Sequence, residues 1–346
     1  MCVKLYPTEL PRPFTGLGAR VMFAHCACMA LLLFLESDYM DLKKPLTIEE
    51  QIERLREHGM DIADVALAQR VLSEINYYRL SGYALQFRDA CSPDDYCTGT
   101  SFEEVWRIYQ FDVALRALLK PYLDVVELYM RSQIAYIFSL AKCKCPPHDQ
   151  HYDANNFHNS QSHNEIFSSG LSREMSNSRD TLFVIHHAHK YGSKMPLWVI
   201  VELLSFTNLS KLFRAMYNSE QDMIALHMST TRSILSNHLH CLANLRNKVA
   251  HASRLYNAAY NPPAQLGVAL LRSNADVAGN TLFAYLIVLL RRLPNDAIRS
   301  ELANAVIKLV SQYTDCLQFN LIGFPEDYAA IFEHTILWAR ITEHAE

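Results

Sequence analysis

The chain has 346 residues, half of them hydrophobic and a fifth charged, with a formal net charge of −4. That composition excludes intrinsic disorder. The acidic balance excludes a protein that coats nucleic acid by charge alone, so any nucleic-acid contact has to be local, made by a few Arg and Lys in a cleft.

Nine cysteines, an odd number, are scattered along the chain. They are not the framework of a small secreted domain and read as free thiols in a reducing cytoplasm. Residues 1–40 differ from the rest. Val21 to Leu35, VMFAHCACMALLLFL, is an apolar run of 15 residues, short of the roughly 20 that span a bilayer. We read 1–40 as an N-terminal extension, non-native or disordered, with Met40 as the natural start. A short buried or membrane-grazing helix is the second reading, and a signal peptide the third. No other segment is long and apolar enough to span a membrane, so no stable membrane association is expected.

Helical signals follow in order. Thr47 and Glu50 fit a capping box, with Ile48, Ile52 and Leu55 at helical spacing and Gly59 as the stop. Asp64 opens a second helix that runs on into Ile75–Tyr83. A loop covers 90–100. Ser101 and Glu104 form another capping box, before a helix carrying Val105, Ile108, Leu115 and Leu119. Pro121 suits the first turn of a further helix, which shows Val126, Met130, Ile134 and Ile137. Residues 142–180, rich in His, Asn and Ser, read as a long surface loop. Periodicity returns over 196–216 and 233–251. Asn261-Pro262-Pro263 is a break. An apolar helix over 281–293 stops at Pro294, helix resumes to about Tyr313, and a short helix holding Trp338 ends the chain. No strand alternation and no internal repeat is present. The fold class is all-α, an irregular helical bundle.

The string with chemistry in it is Leu245-Arg246-Asn247-Lys248-Val249-Ala250-His251. Cleaving RNA through its own 2′-hydroxyl needs an acceptor for that proton and a donor for the leaving oxygen, and histidine titrates where it can do either. A guanidinium suits the negative charge that builds on phosphorus oxygens. Spacing alone does not single these residues out, because Arg20 and His25 repeat it. On a helical wheel Leu239, Leu242, Leu245 and Val249 form one stripe, Asn247 and His251 share the opposite polar face, and Arg246 lies at the apolar margin. A charge there needs a partner. Periodicity also allows a snorkelling arginine on a helix that ends in a surface histidine.

Context separates the readings. Arg246 to Asn257, RNKVAHASRLYN, resembles the RN-x-x-AH-x-SRLWN signature of Abi-like abortive-infection proteins of the AbiD/AbiF type, in the HEPN superfamily. Lys44–Leu55 (KPLTIEEQIERL), Ile75–Tyr83 (INYYRLSGY), Pro196–Leu212 (PLWVIVELLSFTNLSKL) and Gly323–Asp327 (GFPED) resemble other stretches of that family, in the same order. The departures are Tyr256, where Trp is common, and Ala252, where a second His often follows.

The resemblance implies an Abi-like helical domain over 41–340 with a HEPN-like core at roughly 101–260. It implies homodimerisation through the motif helices and cleavage or binding of RNA in phage defence, with an antitoxin as a further partner. Arg246, Asn247 and His251 map onto the catalytic positions: Arg246 steadies phosphate, His251 handles the proton, and Asn247 positions. Lys248, Ser253, Arg254 and Asn257 are supporting or RNA-contacting residues. The alternative is a HEPN-fold module that binds RNA or a protein without cutting.

Glu127 and Arg131, four apart on one helix, are either a surface ion pair or a second wall of the cleft. Glu127 is our first candidate for the partner of Arg246. Cys143 and Cys145 with His148, His151 and His158 lack structural zinc spacing, and no metal or cofactor is expected. The tyrosines of Ile75–Tyr83 are assigned a structural role.

Overall fold

The computed structural model describes residues 42–343. Val21–Leu35 and the proposed start at Met40 lie outside the described residues. The chain divides into two compact units, one ending at Glu50 and one beginning at Gln51. In the first, the Thr47 box is complete: the Thr47 N–H donates to Glu50 Oε2 at 2.8 Å and the Glu50 N–H to Thr47 Oγ1 at 3.2 Å. Helix α1, Ile48–Glu57, starts there.

About two-thirds of the residues are helical, and no strand is formed among the described residues. The second unit continues with α2 (Val65–Glu74), α3 (Tyr77–Ser81) and α4 (Phe102–Lys142). Asp64 caps α2 by accepting from the Leu67 N–H. The expected run-on into Ile75–Tyr83 is broken: Ile75 is extended, and Asn76 caps the separate helix α3.

The expected helix start at Pro121 is also corrected. Helix α4 is continuous for 41 residues, with Pro121 inside it. Proline costs one backbone hydrogen bond and crowds the preceding turn. Pro121 is exposed, so water can solvate the freed carbonyl. The apolar stripe from Phe102 to Phe138 keeps its spacing on either side of it. Two carboxylates, Asp112 and Glu127, lie within that buried stripe.

Residues 142–180 are not a loop. After two short 3-10 turns come α5 (Ser160–Asn164), a π-helical stretch (Glu165–Gly170) and α6 (Leu171–Asn177). Phe157, Ile166 and Leu171 are buried there. His151 Nε2–H donates to the Met195 carbonyl at 2.8 Å, which leaves Nδ1 to accept from Cys143 Sγ at 3.5 Å. His163 Nε2 donates to the His151 carbonyl at 2.9 Å. Polar composition suggested a surface segment because buried histidines look the same as exposed ones in sequence. Among the described residues no His, Cys, Asp and Glu come together in a metal-holding group.

The remainder comprises α7 (Leu182–Tyr191), α8 (Leu197–Leu203), α9 (Phe206–Ala215), α10 (Asn218–His227), α11 (Arg232–Ala250), α12 (Val268–Ser273), α13 (Leu282–Arg292), α14 (Asp296–Ser311), α15 (Phe319–Ile322) and α16 (Tyr328–Glu343). Periodicity over 196–216 ran through the break between α8 and α9, where Leu204 and Ser205 are extended. The last helix, at 16 residues, is longer than expected. Helix α13 is buried from Leu282 to Leu290, as a helix apolar all round must be. It packs against α11, α14, α16 and α4. Each such Leu or Ile contributes about 1.5–3 kcal/mol by burial. No helix among the described residues is long and apolar enough to cross a membrane.

Candidate functional site

The motif occupies the last turns of α11 and the turn behind it. Thr231 caps the start of α11 by accepting from the Ile234 N–H. Leu235, Leu239, Leu242 and Leu245 are fully buried, against α9, α4 and α13. This packing fixes the rotation of the helix and sends its C-terminal residues to three different partners.

Arg246 reaches α4. Its Nε donates to Glu127 Oε2 at 2.9 Å. Glu127 also accepts from Arg131 Nη2 at 2.6 Å through its other oxygen. The Glu127 side chain is only 4% exposed, that of Arg131 15% and that of Arg246 32%. One buried carboxylate therefore holds two guanidiniums, the kind of pairing a buried charge requires. The Nη1 and Nη2 groups of Arg246 have no hydrogen-bond partner among the described residues. Arg131 Nη2 also donates to the Leu204 carbonyl at 2.9 Å, satisfying an end of α8, and its Nη1 lies 3.9 Å from Glu202 Oε2.

Asn247 reaches α9, donating from Nδ2 to Thr207 Oγ1 at 3.1 Å. That bond fixes the amide with Oδ1 directed away from Thr207. His251 terminates α11. Its backbone N–H donates to the Asn247 carbonyl at 2.9 Å, and its side chain is exposed. The three residues thus share the exit of one helix, with Arg246 and Asn247 held and the imidazole open to solvent.

The turn behind His251 is anchored by a group that sequence reasoning passed over. Ala252 and Asn257 take left-handed conformations, φ 51° and 46°, easy for Asn and costly for Ala. Between them the chain dips onto Asp112. This fully buried carboxylate accepts the backbone N–H of Leu255 at 3.0 Å and of Tyr256 at 2.8 Å. It also accepts the Tyr83 hydroxyl at 2.7 Å and Arg116 one turn along α4. Burial pushes the Asp112 carboxyl up, opposed first by the charge of Arg116 and then by its other donors. Arg116 also reaches the Ser253 carbonyl at 3.3 Å.

The supporting residues fall on the same turn. Arg254 donates to the Gly82 carbonyl and lies over the Tyr83 ring. Arg79 donates to the Ala252 carbonyl. Lys248 Nζ is 5.3 Å from the Tyr260 ring centroid. Burial, followed by the charge of Arg254, lowers its pKa. The Ser253 N–H donates to the Lys248 carbonyl at 2.8 Å. Ser253 and Arg254 therefore shape the helix exit, and Tyr83 braces it, as its structural assignment required. Tyr78, by contrast, is 86% exposed.

The signal for the missed pair was present. Asp112 precedes Arg116 by four in an apolar stripe, as Glu127 precedes Arg131. The two pairs lie about 22 Å apart along α4 at 1.5 Å per residue, and they receive the two halves of the motif. The fold is all-α, with the arginine, asparagine and histidine set at the exit of one helix. The family model described as Abi-like protein matches residues 70–257, more than half of the chain. The chain belongs to the Abi-like family, which places it with abortive infection in phage defence. No curated protein and no solved structure matches it.

Proposed function

We propose that this protein is a HEPN-type endoribonuclease acting on RNA, with Arg246, Asn247 and His251 as its centre. The observation that carries the reading is the way Arg246 is held. Glu127 takes Nε and leaves both Nη groups unpaired, the arrangement that positions a guanidinium to meet phosphate oxygens. His251, exposed one turn further on, takes the proton from the 2′-hydroxyl. The 2′-oxygen bonds to phosphorus, the bond from phosphorus to the 5′-oxygen breaks, and that oxygen takes a proton from water. The products are a 2′,3′-cyclic phosphate and a 5′-hydroxyl. Arg246 neutralises charge on the non-bridging oxygens. Asn247, clamped to Thr207, directs its free carbonyl oxygen.

A homodimer goes with this reading. Leu128, Tyr136, Leu140 and Trp198 are each more than half exposed and line a groove of about 440 Å³ between α4 and α8. Arg131 lines the same groove, so a second copy seated there would adjoin the Glu127–Arg131–Arg246 cluster. Exposed apolar patches of this kind mark interaction surfaces.

The test is cleavage of a single-stranded RNA in EDTA by the purified full chain, beside Arg246→Ala and His251→Ala. The expected result is cleavage by the wild type with cyclic-phosphate ends, reduced about 100-fold or more in each variant. Equal cleavage by all three overturns the enzyme reading. RNA binding without cleavage would replace it with a binding module.

A further inference from the structure

Helix α11 has a second polar feature, at the end away from His251. An open cleft of about 380 Å³ is lined by Arg214, Gln221, Arg232, Ser236, Asn237 and His240. Arg214 comes from the last turn of α9 and Arg232 from the first turn of α11. Their charges are not equally available. Arg232 Nη1 pairs with Asp222 Oδ2 at 2.6 Å. Arg214 is exposed, and its guanidinium has no ion pair or hydrogen bond among the described residues. Burial and then the charge of Arg214 lower the pKa of His240. Asn237 stiffens the floor, donating to the Pro263 carbonyl at 2.9 Å and accepting the Gln265 N–H at 2.8 Å.

The cleft and the candidate centre lie on one line. Ser236, His240, Asn244, Asn247 and His251 recur every three or four residues on one side of α11, with His240 and His251 exposed and Asn247 between them bonded to Thr207 of α9. This side lies opposite buried Leu235, Leu242 and Leu245. His240 and His251 are about 16 Å apart along the helix axis at 1.5 Å per residue. A stacked strand carries a phosphate about every 3.4 Å, so about five nucleotides cover that distance. A chain of net charge −4 holds a polyanion where local cations are unbalanced.

We infer that the Arg214 cleft is a phosphate subsite that holds the same RNA strand about five nucleotides from the bond presented to His251. The inference rests on the ribonuclease reading and adds to it a preference for strands long enough to reach the cleft. Arg214 supplies charge to the phosphodiester, and Ser236 and His240 supply hydrogen-bond donors.

The experiment is fluorescence anisotropy with a labelled, fully 2′-O-methylated 12-nucleotide single strand, which cannot be cut. Titrations run over a range of salt with the full-length protein and Arg214→Gln. Cleavage of an unmodified trinucleotide and of a 12-mer is followed in parallel. Arg214→Gln is expected to bind the 12-mer about five- to tenfold more weakly, and its salt slope to fall by about 0.7, the value of one lost contact on a single strand. Its thermal midpoint and trinucleotide cleavage should match the wild type. Unchanged affinity and slope with intact cleavage overturn the subsite alone. Arg214-dependent binding with no cleavage by the wild type retains the subsite and overturns the ribonuclease reading. No binding by the wild type overturns both. Inorganic phosphate at matched ionic strength forms the last arm: displacement of the 12-mer at micromolar phosphate means a site for a free anion, which also overturns the inference.

Discussion

Glu127 Oε2 accepts from Arg246 Nε at 2.9 Å, joining the middle of the longest helix to the exit of the motif helix. The contact settles how a charged residue can sit at the margin of an apolar stripe: it meets a buried carboxylate that a second arginine already shares. It also makes the orientation of Arg246 a property of α4. Nothing local to RNKVAHASRLYN determines it.

Replacing Glu127 with Gln should therefore act at two levels. Arg246 loses its counter-charge and Arg131 keeps only Glu202, 3.9 Å from its Nη1, and breaking a buried pair in this way costs about 3–5 kcal/mol. Urea unfolding should show the loss. Under conditions where the variant is folded, RNA cleavage should fall in kcat more than in KM, because Arg246 is no longer held for the transition state. Arg246→Lys should not rescue activity, since an ammonium cannot give one edge to Glu127 and another to phosphate. Full cleavage by Glu127→Gln would sink the positioning role.

Asp112 makes the corresponding claim for the turn. Asp112→Asn keeps one carbonyl oxygen for the Leu255 and Tyr256 amides but loses the charge that Arg116 pairs with. The expected cost is about 3 kcal/mol. Amide exchange at Leu255 and Tyr256 should accelerate more than in the core of α13. Uniform acceleration along the chain would mean that Asp112 supports global stability without anchoring the turn.

These two carboxylates show what was legible in the sequence. Helices with a cap and a clean stripe could be read: Asp64 before α2, Ser101 before α4, and the apolar run of α13. The partner of Arg246 was legible too, since Glu127 stands in an apolar stripe four residues before an arginine. Asp112 satisfied the same rule, but its partners are backbone amides more than 140 residues away, and backbone groups leave no residue-type signal. Pro121 misled because tolerance of a proline depends on which face it occupies, and the apolar stripe runs unbroken past it. The segment 142–180 misled because His151 and His163 are buried through carbonyls of Met195 and His151, pairings invisible to composition.

Buried histidines set a pH dependence. His238 is fully buried, its Nε2 donating to the Gln265 carbonyl at 2.9 Å. Burial, followed by the charge of Arg292, holds its pKa well below the usual value. Burial also lowers that of His151. In the unfolded chain both take a proton near pH 6.5, but in the fold they resist it. Stability is therefore full above about pH 6.5 and declines as pH falls, by up to about 1.4 kcal/mol per unit for each histidine that remains neutral in the fold. Urea midpoints from pH 7.5 to 5 should show this, and His238→Gln should flatten the slope. A slope of the opposite sign would contradict the assignment of neutral buried imidazoles.

The exposed groove of Leu128, Tyr136, Leu140 and Trp198 gives the last prediction. If a second copy covers it, Trp198→Glu introduces a charge into an apolar contact and leaves the monomer intact, because Trp198 is 58% exposed. Light scattering at tens of micromolar protein should show a dimer for the wild type and a monomer for the variant, with matching thermal midpoints for the monomeric fold. Two surfaces related by a twofold axis bury the same residues on each copy, so Leu140→Glu should give the same monomer. Because Arg131 lines this groove and shares Glu127 with Arg246, RNA cleavage should fall on dilution along with the dimer. A wild-type monomer, or a Trp198→Glu protein that still dimerises, would place the groove outside the assembly and leave Arg246 to act within one chain.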